Sequence, residues 1–362
     1  MHLRSLLLFF LLIGGLAACA DTPRKVAFAL DVDNTQAARV MFPPQIDGVV
    51  PRYVYVGHLY GDRNFPDLEP KREGFFQMIG RALEFIKGDA PPRELYRPQS
   101  GVVDEAGRIL VTDRGNPSVF VFNEKDLTLQ VWQQAEGSRN FVSPIGIALG
   151  PEGTVFVADS ELGLVVHLDN KGNSIGTIGK GHLTRPTGVA YEPSSRRIFV
   201  ADTADHQIKL FDLQGKLLDV WGERGDGPAE FNFPTYISVS NQKLYLADTI
   251  NARVQTLSTT TGKHLATVGR LGVYVGNMVR PKGVAADSEG NIYVIESFHD
   301  YLLIYNSSGE FLMSIGGVGT DPGKFHLPSG VWVDARNRIF VADTLNSRVS
   351  VFQFLGGGTE SE

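Results

Sequence analysis

An acidic residue recurs six times in this chain at a nearly constant interval. Asp113, Asp159, Asp202, Asp248, Glu296 and Asp343 follow one another every 43 to 48 residues. Each closes a short run of β-branched and aromatic residues, as in Ile198-Phe199-Val200-Ala201-Asp202 and Ile339-Phe340-Val341-Ala342-Asp343. Pro98, Pro144, Pro186, Pro234, Pro281 and Pro328 mark the start of the preceding run with almost the same period. Runs of four or five such residues between Gly, Asn and Asp turns read as antiparallel strands. Four strands per repeat, repeated at this period, specify a radial stack of small sheets. Six units predict six blades.

The unit itself has a recognisable form: P-x-G-V-A-x-D, I-Y-V-A-D-T, N-x-R-V-x-V-F, then a strand ending in Gly. It resembles the NHL repeat. Residues 186–222, 281–316 and 328–352 match well; 98–133 and 234–269 are looser, with Tyr236 where the repeat prefers Gly and Glu296 in place of its Asp. The resemblance covers roughly 95 to 354 and implies an all-β fold, a six-bladed β-propeller of NHL-type repeats. It is far more specific for fold than for function.

The last repeat stops after its third strand, near Phe352–Phe354. Residues 51–61, containing Arg-Tyr-Val-Tyr-Val-Gly, form the one unassigned strand of matching form. Pairing it with the last blade would close the ring and remove two open sheet edges. Residues 62–97 then form a linker. Within it, 71–87 has helical periodicity, with Phe75, Ile79, Leu83 and Ile86 on one face, and predicts one short amphipathic helix before the first blade. Residues 98–355 are the propeller, and 356–362 a flexible tail.

At the N-terminus, residues 1–18 read as a signal peptide, with Arg4, an apolar run and then small residues. Leu16-Ala17-Ala18-Cys19 resembles the bacterial lipobox, which implies cleavage before Cys19 and its lipidation. With Ala20 rather than Asp following, the resemblance implies an outer-membrane lipoprotein on the periplasmic or cell-surface side, with 19–50 as a lipidated tether. Phe28 to Thr35 resembles the nucleophile motif of haloacid-dehalogenase phosphatases. That chemistry needs a surrounding α/β domain, and no strand–helix alternation follows.

Composition narrows the function classes. The formal net charge is −6, which leaves no footprint for nucleic acid. Cys19 is the single cysteine, so disulfides, thiolate zinc sites and c-type haem attachment within the chain are excluded. No cofactor is expected.

In a propeller, the loops before each first strand and after each second strand share one face. Here that face carries the longer loops, 221–233, 269–280 and 316–327, and any pocket is expected there. The six acids lie near it. As a ring of carboxylates they are candidate binding residues for a cation or basic ligand; alternatively, each caps a turn by accepting backbone N–H bonds.

Peptidyl-hydroxyglycine lyases resemble this architecture and hold zinc with histidines at the inner-strand mouths. The matching positions here are Gln99 or Ser100, Ile145, Thr187, Thr235, Lys282 and Ser329. Gluconolactonase-like propellers hold calcium with a Glu and Asn set that is not found here. His182, His206, His299 and His326 fall in loops of the same face, so a metal-dependent lyase or hydrolase stands as the alternative. The favoured expectation is a non-enzymatic, lipid-anchored cell-envelope scaffold that binds a protein or polymer, polysaccharide included. The resemblance to bacterial NHL lipoproteins further suggests membership of a cytochrome or export complex.

Overall fold

The computed structural model describes residues 27–30, 40–45, 49–66 and 92–356. Six antiparallel sheets stand around a central channel, each a meander running from an inner to an outer strand. The inner strands begin at Pro98, Pro144, Pro186, Pro234, Pro281 and, in the sixth blade, Val331. The second strands are buried on both faces, as the all-buried Ile109–Asp113 and Val155–Asp159 show. Each sheet is sandwiched between two neighbours, so these strands are continuous apolar runs rather than alternating ones. Outer strands such as Leu217–Trp221 are mostly exposed. The core therefore lies between blades: Phe199 and Leu210 of the third blade pack with Ile237, Leu244 and Leu246 of the fourth.

The ring closes as the repeat pattern predicts. Tyr53–Leu59 pairs antiparallel with Arg348–Phe354, in a register running from Tyr53 opposite Phe354 to Leu59 opposite Val349. Tyr53 and Tyr55 face the fifth blade and pack among Tyr293, Ile295 and Leu302. The Tyr53 hydroxyl lies 3.3 Å from that of Tyr293, which donates to Asp287 at 2.8 Å. Burial pushes the Tyr53 phenol up to about 12. Leu59 faces the first blade instead.

A further strand, Met41–Phe42, pairs with Tyr53 and Val54 and makes the sixth sheet five-stranded. The Phe42 ring lies over Gly323, where a Cβ would sit 2.3 Å from it and φ is +77°. Ala29 donates to the Asn64 carbonyl at 2.9 Å, and the Phe28 ring packs 5.3 Å from Phe65. Two stretches of the expected tether thus lie against the propeller. Phe28 to Leu30, the start of the phosphatase-like motif, pack on the sixth and first blades rather than in an α/β domain. The signal peptide, Cys19, the 71–87 helix and residues 357–362 lie outside the described residues.

Closure also rests on a buried polar chain. Arg348 Nε donates to Asp343 at 2.8 Å, and Arg348 Nη1 donates to His58 Nε2 on the closing strand at 2.8 Å. That nitrogen carries no proton, so His58 Nδ1–H donates to Ser350 Oγ, 3.2 Å away. Burial, and then the Arg348 charge, push the His58 imidazole down to about 2. It is neutral throughout the stable range of the fold but regains its ordinary value of 6.5 on unfolding. Below that pH the unfolded chain binds a proton that the folded chain does not, so stability falls progressively as pH drops from 6.5 towards the folded value. Unfolding free energy, and with it the melting temperature, should drop from pH 7.5 to pH 5, with this group contributing up to about 1.4 kcal/mol per pH unit below 6.5. His58→Gln, which still offers Arg348 an acceptor, should flatten the decline; an unchanged slope would contradict the assignment.

Candidate functional site: the loop face and the channel

The six acids are side by side with the loops of one face, and all are buried. Each accepts backbone N–H groups from the segment leading into its own inner strand. Asp113 takes Tyr96 N at 2.6 Å and Arg97 N at 3.0 Å, and then Gly115 and Asn116 of the following turn. Asp159 repeats this with Val142, Ser143, Glu161 and Leu162. Asp202 binds Thr184 and Arg185 N together with Lys209 Nζ at 2.8 Å. Asp248 takes Asn232 N and Arg253 Nε; Glu296 takes Arg280 N and His299 N; Asp343 takes His326 N and Arg348 Nε. Burial raises the Asp113 and Asp343 carboxyls against the pull of these donors. With their oxygens engaged in this way, the carboxylates clamp the loops on which a partner would rest.

The threonines that follow three of these acids staple one blade to the next, a role the sequence reading did not assign. Thr203 Oγ1 donates to Pro234 O at 2.6 Å, Thr249 Oγ1 to Pro281 O at 2.8 Å, and Thr344 Oγ1 to Pro98 O at 2.9 Å. The last of these joins the sixth blade to the first. The repeat's inner-strand glycine serves the same interface: a Cβ on Gly146 or Gly188 would meet the next inner strand's carbonyl at 2.4 or 2.5 Å.

Tyr236 occupies that glycine position in the fourth blade. Its hydroxyl donates to Gln99 O of the first blade, on the far side of the ring, at 3.2 Å. The side chain therefore crosses the channel and stops it, and burial drives its phenol far up. On the loop side of this plug, Thr187 Oγ1 and Ser329 Oγ donate to inner-strand carbonyls of the next blade. Lys282 stands at the same mouth with no carboxylate at ion-pair distance among the described residues. Burial, and then Arg280 and Arg114, lower its pKa. On the other side of the plug is a cavity of about 590 Å³. The pocket expectation is corrected accordingly: this cavity opens at the face opposite the long loops, because Tyr236 seals the channel from the loop side.

The four loop histidines serve their own neighbourhoods. His206 Nδ1 accepts from Phe233 N at 3.1 Å, and His299 Nδ1 lies 2.9 Å from Glu296. The His182 carbonyl accepts from Lys209 Nζ at 2.7 Å, and the His326 N–H goes to Asp343. Among the described residues, no group of three His, Cys, Asp or Glu is placed to hold a metal ion.

Between its exposed charged residues the loop face also presents apolar side chains. The position two beyond the acid is Ile250, Phe298 and Leu345 in blades four to six, exposed by 56%, 58% and 42%. In blades one to three it is Gly115, Glu161 and Ala204. Phe233 and Leu327, just before two of the inner strands, are also exposed, and Tyr274 in the 269–280 loop is 80% exposed. Single apolar residues some 48 positions apart in polar loops give no local signal in a sequence. The fold brings them to neighbouring loops of one face as a crescent, with Tyr96 and Val142 also exposed just before the first two inner strands.

Asp343→Ala would strand Arg348, which is fully buried, without its carboxylate. Loss of one partner of such a pair costs about 3–5 kcal/mol. Denaturant unfolding should show that loss, whereas Glu136→Ala at the exposed Lys180–Glu136 pair should leave the midpoint unchanged. An Asp343 variant as stable as the parent would refute the clamping role.

Comparison with known proteins agrees with this architecture. A family described as a 6-bladed beta-propeller matches residues 191–279 and 282–362. Rat (Rattus norvegicus) peptidylglycine alpha-amidating monooxygenase is 29% identical over 174 residues, 43% of this chain and 16% of that protein. Human (Homo sapiens) NHL repeat-containing protein 3 is 27% identical over 184 residues, 44% of this chain and 51% of that protein. The matched region thus spans from about a sixth to half of these relatives' lengths. A crystal structure of a Bacteroides thetaiotaomicron protein of unknown function superposes with a TM-score of 0.57 at 15% identity, covering 74% of this chain and 71% of that one. Repeat pattern, blade count and relatives agree: the chain is a six-bladed β-propeller of NHL-type repeats, related to the NHL repeat-containing proteins.

Proposed function

We propose that this chain is a non-enzymatic binding propeller of the cell envelope, anchored through a lipidated Cys19, whose loop face receives a protein partner. The apolar crescent over blades four to six carries the reading. Large side chains such as Phe298 and Tyr274 stay in water at a cost unless something covers them, and apolar patches of this kind mark interaction surfaces. Aromatic anchors in such patches supply most of the binding energy in protein interfaces. Lys282, with Arg114 and Arg280 near it, adds a positive centre beside the crescent, which suits a partner surface that is apolar and carries an acidic group.

The relatives include an amidating monooxygenase, but the inner-strand mouth positions here are Gln99, Ile145, Thr187, Thr235, Lys282 and Ser329, none of them a zinc ligand of the expected kind. The binding reading is therefore preferred to a metal-dependent lyase.

Three measurements test it. Cys19→Ser should release the protein from membranes into the soluble fraction. A photo-crosslinking residue at Phe298 or Leu345 should capture one discrete protein in cell envelopes, whereas the same residue at Val220 or Leu265 on the outer strands should not. The double variant Phe298→Ser, Leu345→Ser should weaken association with the captured protein at least tenfold without shifting the melt. Equal capture from both surfaces would defeat the proposal.

A further inference from the structure

Two rings of equivalent positions surround the loop-side mouth of the channel, above Tyr236. In the first ring, directly after each inner-strand proline, Gln99, Ile145, Thr187, Thr235 and Ser329 are uncharged, and blade five alone carries a charge, Lys282. In the second ring, directly after each strand-end acid, Ser160, Thr203, Thr249, Ser297 and Thr344 are small hydroxyls, and blade one alone carries a charge, Arg114. Hydrogen bonds join the rings. Thr187 Oγ1 lies 2.6 Å from Thr203 Oγ1, Thr235 Oγ1 lies 2.8 Å from Thr249 Oγ1, and Thr344 Oγ1 donates to Ser329 Oγ at 2.8 Å. Where the other blades tuck a hydroxyl against the strand, Arg114 stands exposed. Two departures from a sixfold pattern thus meet at one opening.

Blade six separates Lys282 from Arg114, and the inner strands there are in close contact. A Cβ on Gly283 would meet Ser329 O at 2.7 Å, and one on Gly330 would meet Gln99 O at 2.3 Å. Lys282 is half-buried, and Arg280 adds a third, exposed cation two positions before it. Burial, and then the charges of Arg280 and Arg114, lower the Lys282 pKa, so all three cations share one neighbourhood. Arg114 also acts on the floor: burial drives the Tyr236 phenol up, against the Ser329 hydrogen bond and the Arg114 charge. Among the described residues, no carboxylate lies at ion-pair distance from any of the three cations. The adjacent acids are engaged with backbone N–H groups, Asp113 with Tyr96 and Arg97 and Glu296 with Arg280. A half-buried ammonium beside two guanidiniums is disfavoured by burial and by like charge together, and an anion between them offsets both.

We propose that this mouth, between Lys282 and Arg114, binds a small anionic group carrying at least two negative charges, a phosphate or a pair of carboxylates. A single negative charge would leave two of the three cations uncompensated. The guanidiniums supply planar forks for such oxygens and Lys282 a point charge between them. Tyr236 closes the channel beneath, so the anion is held at the mouth and does not pass through. The site does not depend on the apolar crescent.

Titration calorimetry with citrate, at an ionic strength fixed by sodium chloride, tests this. Citrate should bind saturably, one per chain, and at least tenfold more tightly than acetate. Lys282→Gln and Arg114→Ser, the second restoring the hydroxyl of the other blades, should each weaken citrate at least tenfold. Both should melt no lower than the parent, because each removes a repulsion and breaks no ion pair. Arg139→Gln, at an exposed arginine of the same face away from the mouth, should leave affinity unchanged. The proposal is overturned if citrate does not saturate, if acetate binds as tightly, or if either mouth variant keeps full affinity. It is equally overturned if Arg139→Gln weakens binding as much as they do, or if a mouth variant melts lower and so reveals a structural partner for its cation. Citrate that also suppresses crosslinked capture at Phe298 would place the natural anion on the captured protein; citrate that binds without affecting capture would make it a free solute. Both results support the site, and absence of any capture would count against the crescent alone.

Discussion

The hydrogen-bonded pairing of Tyr53–Leu59 with Arg348–Phe354 joins segments some 290 residues apart and turns a row of sheets into a ring. An open row would expose two sheet edges and two apolar faces. Closure buries them: Tyr55 and Phe352 pack toward the fifth blade, Leu59 and Val349 toward the first. Because loop-closure entropy grows only slowly with length, the cost of joining distant segments is modest beside what their burial contributes. The Asp343–Arg348–His58 chain fixes the joined strands, and Thr344 ties the same blade to Pro98.

The acid that sets the repeat period has its physical reason here. A buried carboxylate at the end of each second strand holds the incoming loop by its backbone N–H groups, and the exposed side chains two positions beyond the acid take no part in that clamp. They are free to vary from blade to blade. Blades four to six use that freedom to display Ile250, Phe298 and Leu345, and blades one to three do not. Tyr236, the one large residue at an inner-strand glycine position, divides the channel. One end becomes a surface and the other a cavity.

Much of this was readable from the chain alone. Strand identity, blade number and the closing strand follow from a strict period, since each repeat must present the same residues to the same neighbours. The capping role of Asp113 and its counterparts was visible as one of two readings. Tyr236 stood out as a departure from Gly, but its reach to Gln99 across the ring depends on two blades facing each other, which no local pattern encodes. Met41–Phe42 was missed because two paired residues have no periodicity to read. The apolar crescent was missed because its members meet only after the sheets stack, and the cavity was assigned to the wrong face by loop length alone.

Ring closure is tested most directly by comparing the thermal unfolding of two chains, one beginning at Val40 and one at Asp62. The first keeps Met41–Phe42 and the closing strand and should unfold in a single cooperative transition near that of the whole chain. The second leaves Arg348–Phe354 unpaired along its outer edge and uncovers Phe352 and Tyr293, so it should aggregate or melt many degrees lower. Coincident transitions for the two would show that the propeller does not depend on this strand and would contradict the account.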